Sequence, residues 1–329
     1  MITPHTLASE SITDELSMLL VGEPKAGKSW LEATAPGNIF YFDFDRRLAS
    51  LKMHWNAKNL YGLTFADPSD TKTVPTAMNE LLDILTRLEK SPLLRDLHES
   101  FAACGDKWVD TLVFDSIQTI ADSARRYVLF NGETGTGGIT RLFQIGGRQY
   151  RVAKSYHAWG GEMEMVTGAI LQARALLHCR KCAKSVTYEA DKQMPGSALA
   201  PGVTASANGV QRLRHTDKSL DAQHPPEPKA MNVLCSLHEC MEEDERSTEE
   251  VPMYTGKIEV YPRRYNSLLS YFNEVWRVIR DSGRVPRVQV DPDGKFTKAA
   301  TALGITSVTS GVNGPSIQEV LNNAKSLRK

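Results

Sequence analysis

The octapeptide GEPKAGKS at residues 22–29 constrains the fold of this chain more than any other stretch. It follows the apolar run SMLLV, precedes the helix-favouring segment WLEATA, and fits the pattern G-x-x-x-x-G-K-[ST] at every position. In that pattern Gly22 and Gly27 let the backbone curl, so that successive N–H groups point at phosphate oxygens, and the helix start adds partial positive charge. The pattern therefore predicts a phosphate-binding loop between a strand and a helix.

The two residues that end the motif carry the chemistry of such a loop. We expect Lys28 to bridge the β- and γ-phosphates of a nucleotide and Ser29 to offer its hydroxyl to Mg²⁺. The guanine-selecting pattern N-K-x-D is absent from the sequence, which favours ATP over GTP. The predicted nucleotide-contacting residues are Gly22, Glu23, Pro24, Lys25, Ala26, Gly27, Lys28, Ser29 and Trp30.

Short apolar runs alternate with helix-like segments over the first two-thirds of the chain. The predicted strands are 17–22, 38–45, 60–66, 111–116 and 231–237. Helical apolar spacing falls at 76–90, 116–130, 162–177 and 263–280. Near-continuous apolar runs such as NIFYFDFD suit strands that are buried on both faces of a parallel sheet. This alternation predicts an α/β fold, with a doubly wound, mostly parallel sheet flanked by helices.

The predicted domain organisation is a core over residues 1–280 and a small C-terminal appendage over 281–329. We expect residues 178–229 to be an irregular insertion in the core, because 193–229 are rich in Pro, Gly, Ala and Ser and lack apolar periodicity. No apolar run approaches the length of a membrane span, and the N-terminus lacks the features of a signal peptide. With five cysteines in a chain of 329 residues, we expect a reduced, cytoplasmic protein.

Two further strands end in acids. TLVFDS delivers Asp115 to a strand end, where we expect it to lie beside Ser29 and to hold the hydration shell of Mg²⁺. Asp43 and Asp45 end the strand FYFDFD, at the edge where open α/β sheets bind ligands. Asp45 is our candidate base for activating water, with Asp43 in support. A helix cap or a salt bridge to the neighbouring arginines would explain these two acids equally simply.

The order of these motifs resembles that of the RecA-like P-loop ATPases, and in particular the compact phage proteins of the Sak type, which act in single-strand annealing recombination. GEPKAGKS, FYFDFD and TLVFDS carry the resemblance, and NVLCSLHE (232–239) and MYTGKIEVYP (253–262) add to it. It implies a homo-oligomeric ring or filament that hydrolyses ATP with Mg²⁺ and acts on single-stranded DNA. It also implies phage recombination or replication proteins as further partners, in the cytoplasm of a bacterial host.

The resemblance also assigns roles to individual residues. Asp45 matches the catalytic acid, although RecA relatives have the longer Glu there. NVLCSLHE becomes the strand whose polar end senses the γ-phosphate, which makes His238 a candidate catalytic residue, with Ser236 beside it; a surface histidine that caps a strand is the simpler alternative. Lys257, Arg263 and Arg264 fall where such ATPases supply positive charge to a neighbouring subunit's nucleotide, although solvated cations at a strand end would look the same.

A DNA-binding surface cannot come from net charge, because Lys+Arg and Asp+Glu balance at 39 each. The segment ECMEEDERSTEE (239–250) would repel a phosphate backbone. Basic residues concentrate in 141–192, with Tyr150, Tyr156 and Trp159 available to stack on bases, although a solvated face explains this equally well. The candidate DNA contacts are Arg141, Arg148, Arg151, Lys154, Arg180, Lys181 and Lys184.

Two other functions and one metal site are compatible with the sequence. A P-loop kinase of a small metabolite would share the loop, and so would a non-hydrolytic ATP-binding scaffold for DNA annealing or helicase loading. For the metal, HCRKC (178–182) and CSLHEC (235–240) contain Cys179, Cys182, Cys235 and Cys240, and four thiolates could close a tetrahedral zinc site. We favour small buried side chains as the explanation, because Cys235 falls inside a predicted buried strand.

Overall fold

A computed structural model gives the fold. It describes residues 16–67, 74–132, 140–145, 148–153, 160–191, 203–206, 209–243, 254–258, 268–280, 286–290, 300–301, 308 and 315–326. The helices are α1 Lys28–Glu32, α2 Ala77–Lys90, α3 Leu94–Leu97, α4 Ile117–Asn131, α5 Gly160–Ala175 and α6 Ile317–Ser326. None of these helices combines the length and the apolar character that a membrane span requires.

The strands up to residue 191 are β1 Ser17–Gly22, β2 Ile39–Asp43, β3 Leu60–Thr64, β4 Thr111–Asp115, β5 Thr140–Ile145, β6 Arg148–Ala153, β7 Leu177–Cys179 and β8 Val186–Asp191. The later strands are β9 Val203–Ser206, β10 Gly209–His215, β11 Pro228–Ala230, β12 Asn232–Glu243, β13 Tyr254–Ile258, β14 Glu274–Arg280, β15 Pro286–Gln289 and β16 Ala300–Thr301. The predicted α/β class, with its mostly parallel sheet flanked by helices, is confirmed.

One mixed sheet forms the centre of the molecule. Its strand order is β15-β14-β1-β12-β4-β2-β3, and β13 and β16 pair at its margins with β12 and β14. The six strands from β14 to β3 run parallel, whereas β13, β15 and β16 are antiparallel to their neighbours. Since β12 lies between β1 and β4, the ends of these three strands meet at one edge of the sheet.

Both faces of the sheet are covered by hydrophobic packing. On one face, the side chains of α2, α4 and α5 pack against residues such as Phe40, Phe42 and Phe114. On the other face, α1 and α6 pack against residues that include Tyr41 and Trp276. This double burial explains the near-continuous apolar runs of β1, β2 and β4, because neither side of these strands faces water.

The sequence prediction of a helix over 263–280 is wrong for its second half. Residues 274–280 form β14, which pairs with β1 on one side and with β15 on the other. Because both of its faces are buried, β14 lacks the polar–apolar alternation that marks a half-exposed strand. Its charged residues are accommodated in pairs, since Arg277 binds Glu239 at 2.7–2.9 Å and Glu274 accepts a hydrogen bond from Trp276 at 2.7 Å.

The parts of the chain predicted to be an irregular insertion and an appendage contain regular elements. Within residues 178–229, β8, β9 and β10 form an antiparallel sheet, and β11 pairs with β7. After residue 280, β15 joins the main sheet, and α6 docks where the Ile317 N–H donates to the Thr34 hydroxyl at 2.8 Å. These contacts tie the described C-terminal residues to the main sheet.

Candidate functional site

The loop between β1 and α1 has a backbone shape that only its own glycines permit. A Cβ on Gly22 would lie 2.3 Å from the carbonyl oxygen of Val278, so the loop leaves β1 where no side chain fits. Gly27 has φ 103°, in the left-handed region that glycine adopts without strain. The Ala26 N–H then donates to the Glu23 carbonyl at 3.1 Å. The loop is therefore a compact cradle of backbone groups at the start of α1, and this shape fits an anionic ligand.

Lys28 places a buried ammonium group across this cradle. Its side chain is 3% exposed, and Nζ donates to the carbonyls of Gly22 at 2.7 Å and Glu23 at 3.0 Å. Burial lowers the pKa of Lys28 to about 8, and the nearby Glu32 and Asp115 carboxyls only partly offset this effect. The cation therefore lies at the mouth of the loop, with a proton that is lost more easily than that of an ordinary lysine.

Asp115 lies beside Ser29, as the sequence predicts. The Ser29 hydroxyl donates to Asp115 Oδ2 at 2.9 Å, and the Ser236 hydroxyl donates to Oδ1 at 2.6 Å. Burial raises the pKa of Asp115, the Asp45 carboxylate raises it further, and the two serine hydroxyls lower it in part. A serine hydroxyl next to a carboxylate is an all-oxygen donor set, which suits a hard cation such as Mg²⁺. The residues present therefore fit the predicted metal.

Asp45 lies in the turn after β2, on the same edge. Its carboxylate accepts a hydrogen bond from Thr119, in the first turn of α4, and lies 3.2 Å from the Arg47 guanidinium and 3.5 Å from His238 Nε2. Burial alone would raise the pKa of Asp45, but the contacts with His238, Thr119 and Arg47 outweigh it and hold the pKa below its ordinary value. Asp45 is therefore a carboxylate that stays ionised at neutral pH.

His238 connects the two halves of the site. It lies on β12, with Nδ1 3.4 Å from Lys28 Nζ and Nε2 3.5 Å from Asp45 Oδ2, and its side chain is 12% exposed. Two hydrogen bonds with the side chain of Gln118 hold its backbone, the N–H at 3.0 Å and the carbonyl at 3.2 Å. The structure therefore brings the predicted residues Lys28, Asp45 and His238 together.

Asp43, which we predicted to support Asp45, contacts the backbone of the turn after β2. Its carboxylate accepts hydrogen bonds from the backbone N–H groups of Arg47 at 2.8 Å and Leu48 at 3.0 Å. The Thr64 hydroxyl lies 3.3 Å from the same carboxylate. Asp43 thus binds the turn after β2, as the capping alternative proposed, and it fixes the position of Asp45.

Three groups at the site were missed by the sequence reasoning. Gln118 and Thr119 lie in the first turn of α4, three and four residues after Asp115. This short spacing could have indicated that both side chains lie near the site. Glu32, on α1, is fully buried one turn after Lys28. Burial raises the pKa of Glu32 well above its ordinary value, and the Asp115 carboxylate raises it further. Glu32 is therefore a buried acid on α1 whose neutral form is favoured by its surroundings, and no local sequence pattern predicts it.

The remaining predicted nucleotide-contacting residues differ in how they are placed. Glu23, Pro24 and Lys25 are exposed at the top of the loop, and Lys25 has φ 67°. Trp30 points away to a different partner, since its ring packs edge-on against His54 with centroids 4.3 Å apart. Trp30 therefore anchors α1 to the segment around His54.

The predicted positive groups fall on several elements. Lys257 stands on β13, opposite Cys240 of β12, whereas Arg263 and Arg264 lie outside the described residues. Of the candidate DNA contacts, Arg141, Arg148 and Arg151 stand on the hairpin β5–β6, Arg180, Lys181 and Lys184 lie in the turn between β7 and β8, and Lys154 is outside the described residues. Lys181 forms an ion pair with Glu227 at 2.6 Å. The described basic residues are thus divided between the hairpin β5–β6 and the turn between β7 and β8.

No protein-family model matches this chain, and no curated protein matches it. We therefore infer its function from the geometry of the site and from the motifs that build it.

Proposed function

We propose that the chain is a Mg²⁺-dependent, RecA-like ATPase that acts on single-stranded DNA in phage recombination or replication. The observation that carries the proposal is the 2.9 Å hydrogen bond from Ser29 to Asp115, next to the buried Lys28 ammonium. A loop residue and a strand-end acid 86 positions apart in the sequence meet there with the donor set that a nucleotide-bound Mg²⁺ needs.

The phosphate-binding step uses the backbone of the loop and Lys28. The curled backbone at Gly22–Ser29 offers N–H groups and a helix start to phosphate oxygens, and Lys28 supplies a positive charge where burial strengthens its attraction for an anion. When bound, Mg²⁺ would neutralise charge on the phosphates, and Ser29 and Asp115 would hold it or its water ligands. Ser236 positions Asp115 for this role through the 2.6 Å hydrogen bond.

The water-activating step is assigned to Asp45. Its carboxylate is ionised. It lies close to Lys28, since His238 on β12 comes within 3.5 Å of both groups. We propose that Asp45 orients a water and accepts its proton. His238 lies between Lys28 and Asp45, and we propose that it contacts the γ-phosphate as a sensor. Thr119 and Arg47 keep Asp45 in place, as positioning residues.

The strand order favours a RecA-like ATPase over a metabolite kinase. Since β12 lies between β1 and β4, its polar residues Ser236 and His238 fall between the loop and Asp115, where the resemblance places a γ-phosphate sensor. In addition, Ser116 follows Asp115 directly and its hydroxyl lies 3.4 Å from Asp45. The residue after the strand-end acid thus contacts the candidate base.

The DNA substrate and the oligomer are proposed from the resemblance and from placement. The hairpin β5–β6 carries Arg141, Arg148 and Arg151, and it follows α4, whose first turn supplies Thr119 to Asp45. We propose that a nucleotide-dependent change at Asp45 reaches that hairpin through α4, which contacts β6. Lys257 on β13 is the described candidate for a charge donated to a neighbouring protomer.

The test is the rate of phosphate release from ATP with Mg²⁺, measured with and without single-stranded DNA, together with the size of the particle in ATP. We expect hydrolysis that single-stranded DNA stimulates, and a ring or filament in ATP. Phosphate transfer to a small acceptor without a DNA effect would replace the proposal with a kinase. Annealing that survives Lys28→Ala, without hydrolysis by the wild type, would replace it with a scaffold.

A further inference from the structure

A second cluster of reactive side chains lies in the insertion, away from the Ser29–Asp115 edge. It consists of Cys179 and Cys182 around the turn after β7, His215 at the end of β10, and His224 before β11. One ligand atom of each of these four residues lies within 4.8 Å of those of the others. From this arrangement we infer that the insertion binds one Zn²⁺ ion in a closed Cys₂His₂ site.

The donor set selects the metal. Two thiolates and two imidazoles are a common set of four ligands in structural zinc sites. In these sites the Zn–S bond is about 2.3 Å long and the Zn–N bond about 2.0 Å. Such a tetrahedron spaces its ligand atoms by about 3.3–3.8 Å, so the present cluster needs only small movements to close on an ion. Cys179 Sγ and His224 Nδ1, for example, are 4.0 Å apart. Four protein ligands leave no open position, which makes the site structural rather than catalytic.

His215 is held in the tautomer that a metal needs. Its Nδ1 lies 2.7 Å from Asp221 Oδ1, so the carboxylate accepts the Nδ1 proton and leaves the lone pair on Nε2. His215 is fully buried, and its Nε2 has no hydrogen-bond partner within the described part of the chain. A buried imidazole nitrogen without a partner, next to two thiols, points to a ligand, because burial of an unpaired polar atom is costly. Asp221 is the outer carboxylate that commonly orients a zinc-binding histidine.

The backbone around the two cysteines also has the form of a metal-binding turn. The Cys179 N–H donates to Lys184 at 2.8 Å, and the Ala183 N–H donates back to the Cys179 carbonyl at 2.9 Å. Ala183 has φ 55°, in the left-handed region that a non-glycine residue rarely adopts. The turn directs Cys179 and Cys182 to one side, toward the two histidines.

Among its described residues, the insertion has only a small hydrophobic core. Its own buried apolar cluster consists of Cys179, Val186 and Leu213, with Leu177 and Cys182 packed against it. Small units with a core of this size usually need a metal or disulfides to fold. A zinc ion that joins β7, β10 and the segment before β11 would supply this link.

The cysteine set considered from the sequence is wrong. The described cysteines include Cys235, which is fully buried between β1 and β4 in the main core and is absent from the cluster. The partners of the Cys179–Cys182 pair are instead two histidines nine residues apart. His178, by contrast, is bound to the core, with Nε2 2.7 Å from the Leu88 carbonyl oxygen, and it docks the insertion onto α2.

The test is the metal content of the full-length protein, purified without chelator, by inductively coupled plasma mass spectrometry. We expect about one zinc per chain. After removal of zinc, Co²⁺ should restore one equivalent and give the absorption bands of thiolate-ligated, tetrahedral cobalt. A protein that takes up neither metal, or that contains a Cys179–Cys182 disulfide instead, would overturn the inference.

Variants separate the ligands from other residues of the same type. Cys182→Ser and His224→Asn should each lower the metal content to less than half, whereas Cys104→Ser and His98→Asn, which lie outside the cluster, should leave it unchanged. Asp221→Asn should retain the metal but weaken its affinity by about 10–100-fold, because it removes only the outer partner of His215. Full metal content in both Cys182→Ser and His224→Asn would contradict the assignment of the ligands.

Discussion

The two clusters of this molecule are held in place by different means. The Ser29–Asp115 edge is built on strands that are buried on both faces, and hydrogen bonds between its own residues fix Asp115, Asp45 and His238. Behind the insertion cluster the described core has two buried aliphatic residues, Val186 and Leu213, and the cluster contains a histidine nitrogen that has no partner among the described residues. Sheet packing thus preorganises the first cluster, whereas the second depends on an ion to join its elements.

The two clusters also adjoin β12 at different positions along the strand. The insertion returns to the sheet through β11, just before Asn232, whereas Ser236 and His238 contribute to the proposed ATP site. From Asn232 to His238 the strand spans six residues, or about 20 Å. Changes at one cluster should therefore leave the other intact, and the following variants test this independence.

Lys28→Ala should have the largest effect. It removes the buried cation from the loop, so ATP turnover should fall to background, at least about a hundredfold, while zinc content and thermal stability stay near those of the wild type. Phosphate release and metal content measured on the same preparation check this. Lys52→Ala, an exposed lysine outside the loop, is the matched control and should be fully active. Wild-type turnover in Lys28→Ala would remove the loop from the proposed mechanism.

Asp45→Asn should separate nucleotide binding from hydrolysis. The amide keeps the shape of the side chain but cannot accept a proton, so ATP affinity should stay within a few-fold of the wild type while turnover falls by about a hundredfold or more. Equilibrium binding of a fluorescent ATP analogue and single-turnover hydrolysis measure the two effects. Asp83→Asn, on the exposed face of α2, is the control. Equal losses of affinity and turnover would show that Asp45 is needed for binding instead.

The pH dependence of ATP affinity should report the buried lysine. The pKa of Lys28 is lowered to about 8, so the ammonium that attracts phosphate is present below pH 8 and is lost as the pH rises above it. Affinity should therefore be flat from pH 6.5 to 7.5 and then fall by up to about tenfold per pH unit above pH 8. Titrations of ATP from pH 6.5 to 9.5 check this, with Lys28→Ala as the reference, in which the fall should disappear. A flat profile in the wild type would contradict the assignment.

Cys182→Ser should have the smallest effect on the proposed ATP site. It breaks the metal cluster, so the melting temperature should fall by several degrees and should no longer respond to a zinc chelator. ATP affinity at a temperature where the core is folded should stay within about twofold of the wild type. Differential scanning fluorimetry with and without chelator, paired with ATP binding, tests both. A large loss of ATP affinity in this folded variant would show that the two clusters are coupled.

The sequence predicted the proposed ATP site better than the rest of the molecule. The loop, Asp115 and Asp45 were predicted because each lies at or just after the end of a strand, and parallel strands bring their ends together. His238 was predicted from the resemblance. Glu32 and Thr119 were not predicted. The role of Glu32 depends on its burial in the folded core, and that of Thr119 on its contact with Asp45. The strand at 274–280 was mistaken for a helix since, in a strand buried on both faces, helix and strand patterns look alike. The insertion ligands were missed because His215 and His224 are brought to the cysteines only by the pairing of β10 with β8 and of β11 with β7.

The most direct test of the central claim is ATP hydrolysis by Asp115→Ala and by the wild type, measured side by side with saturating Mg²⁺. The proposal requires that the carboxylate beside Ser29 hold the metal. It therefore predicts steady phosphate release by the wild type, which is lost on removal of Mg²⁺, and release at background by Asp115→Ala in a protein that keeps its fold and its zinc. Equal rates in the two proteins, or no Mg²⁺-dependent release by the wild type, would contradict it.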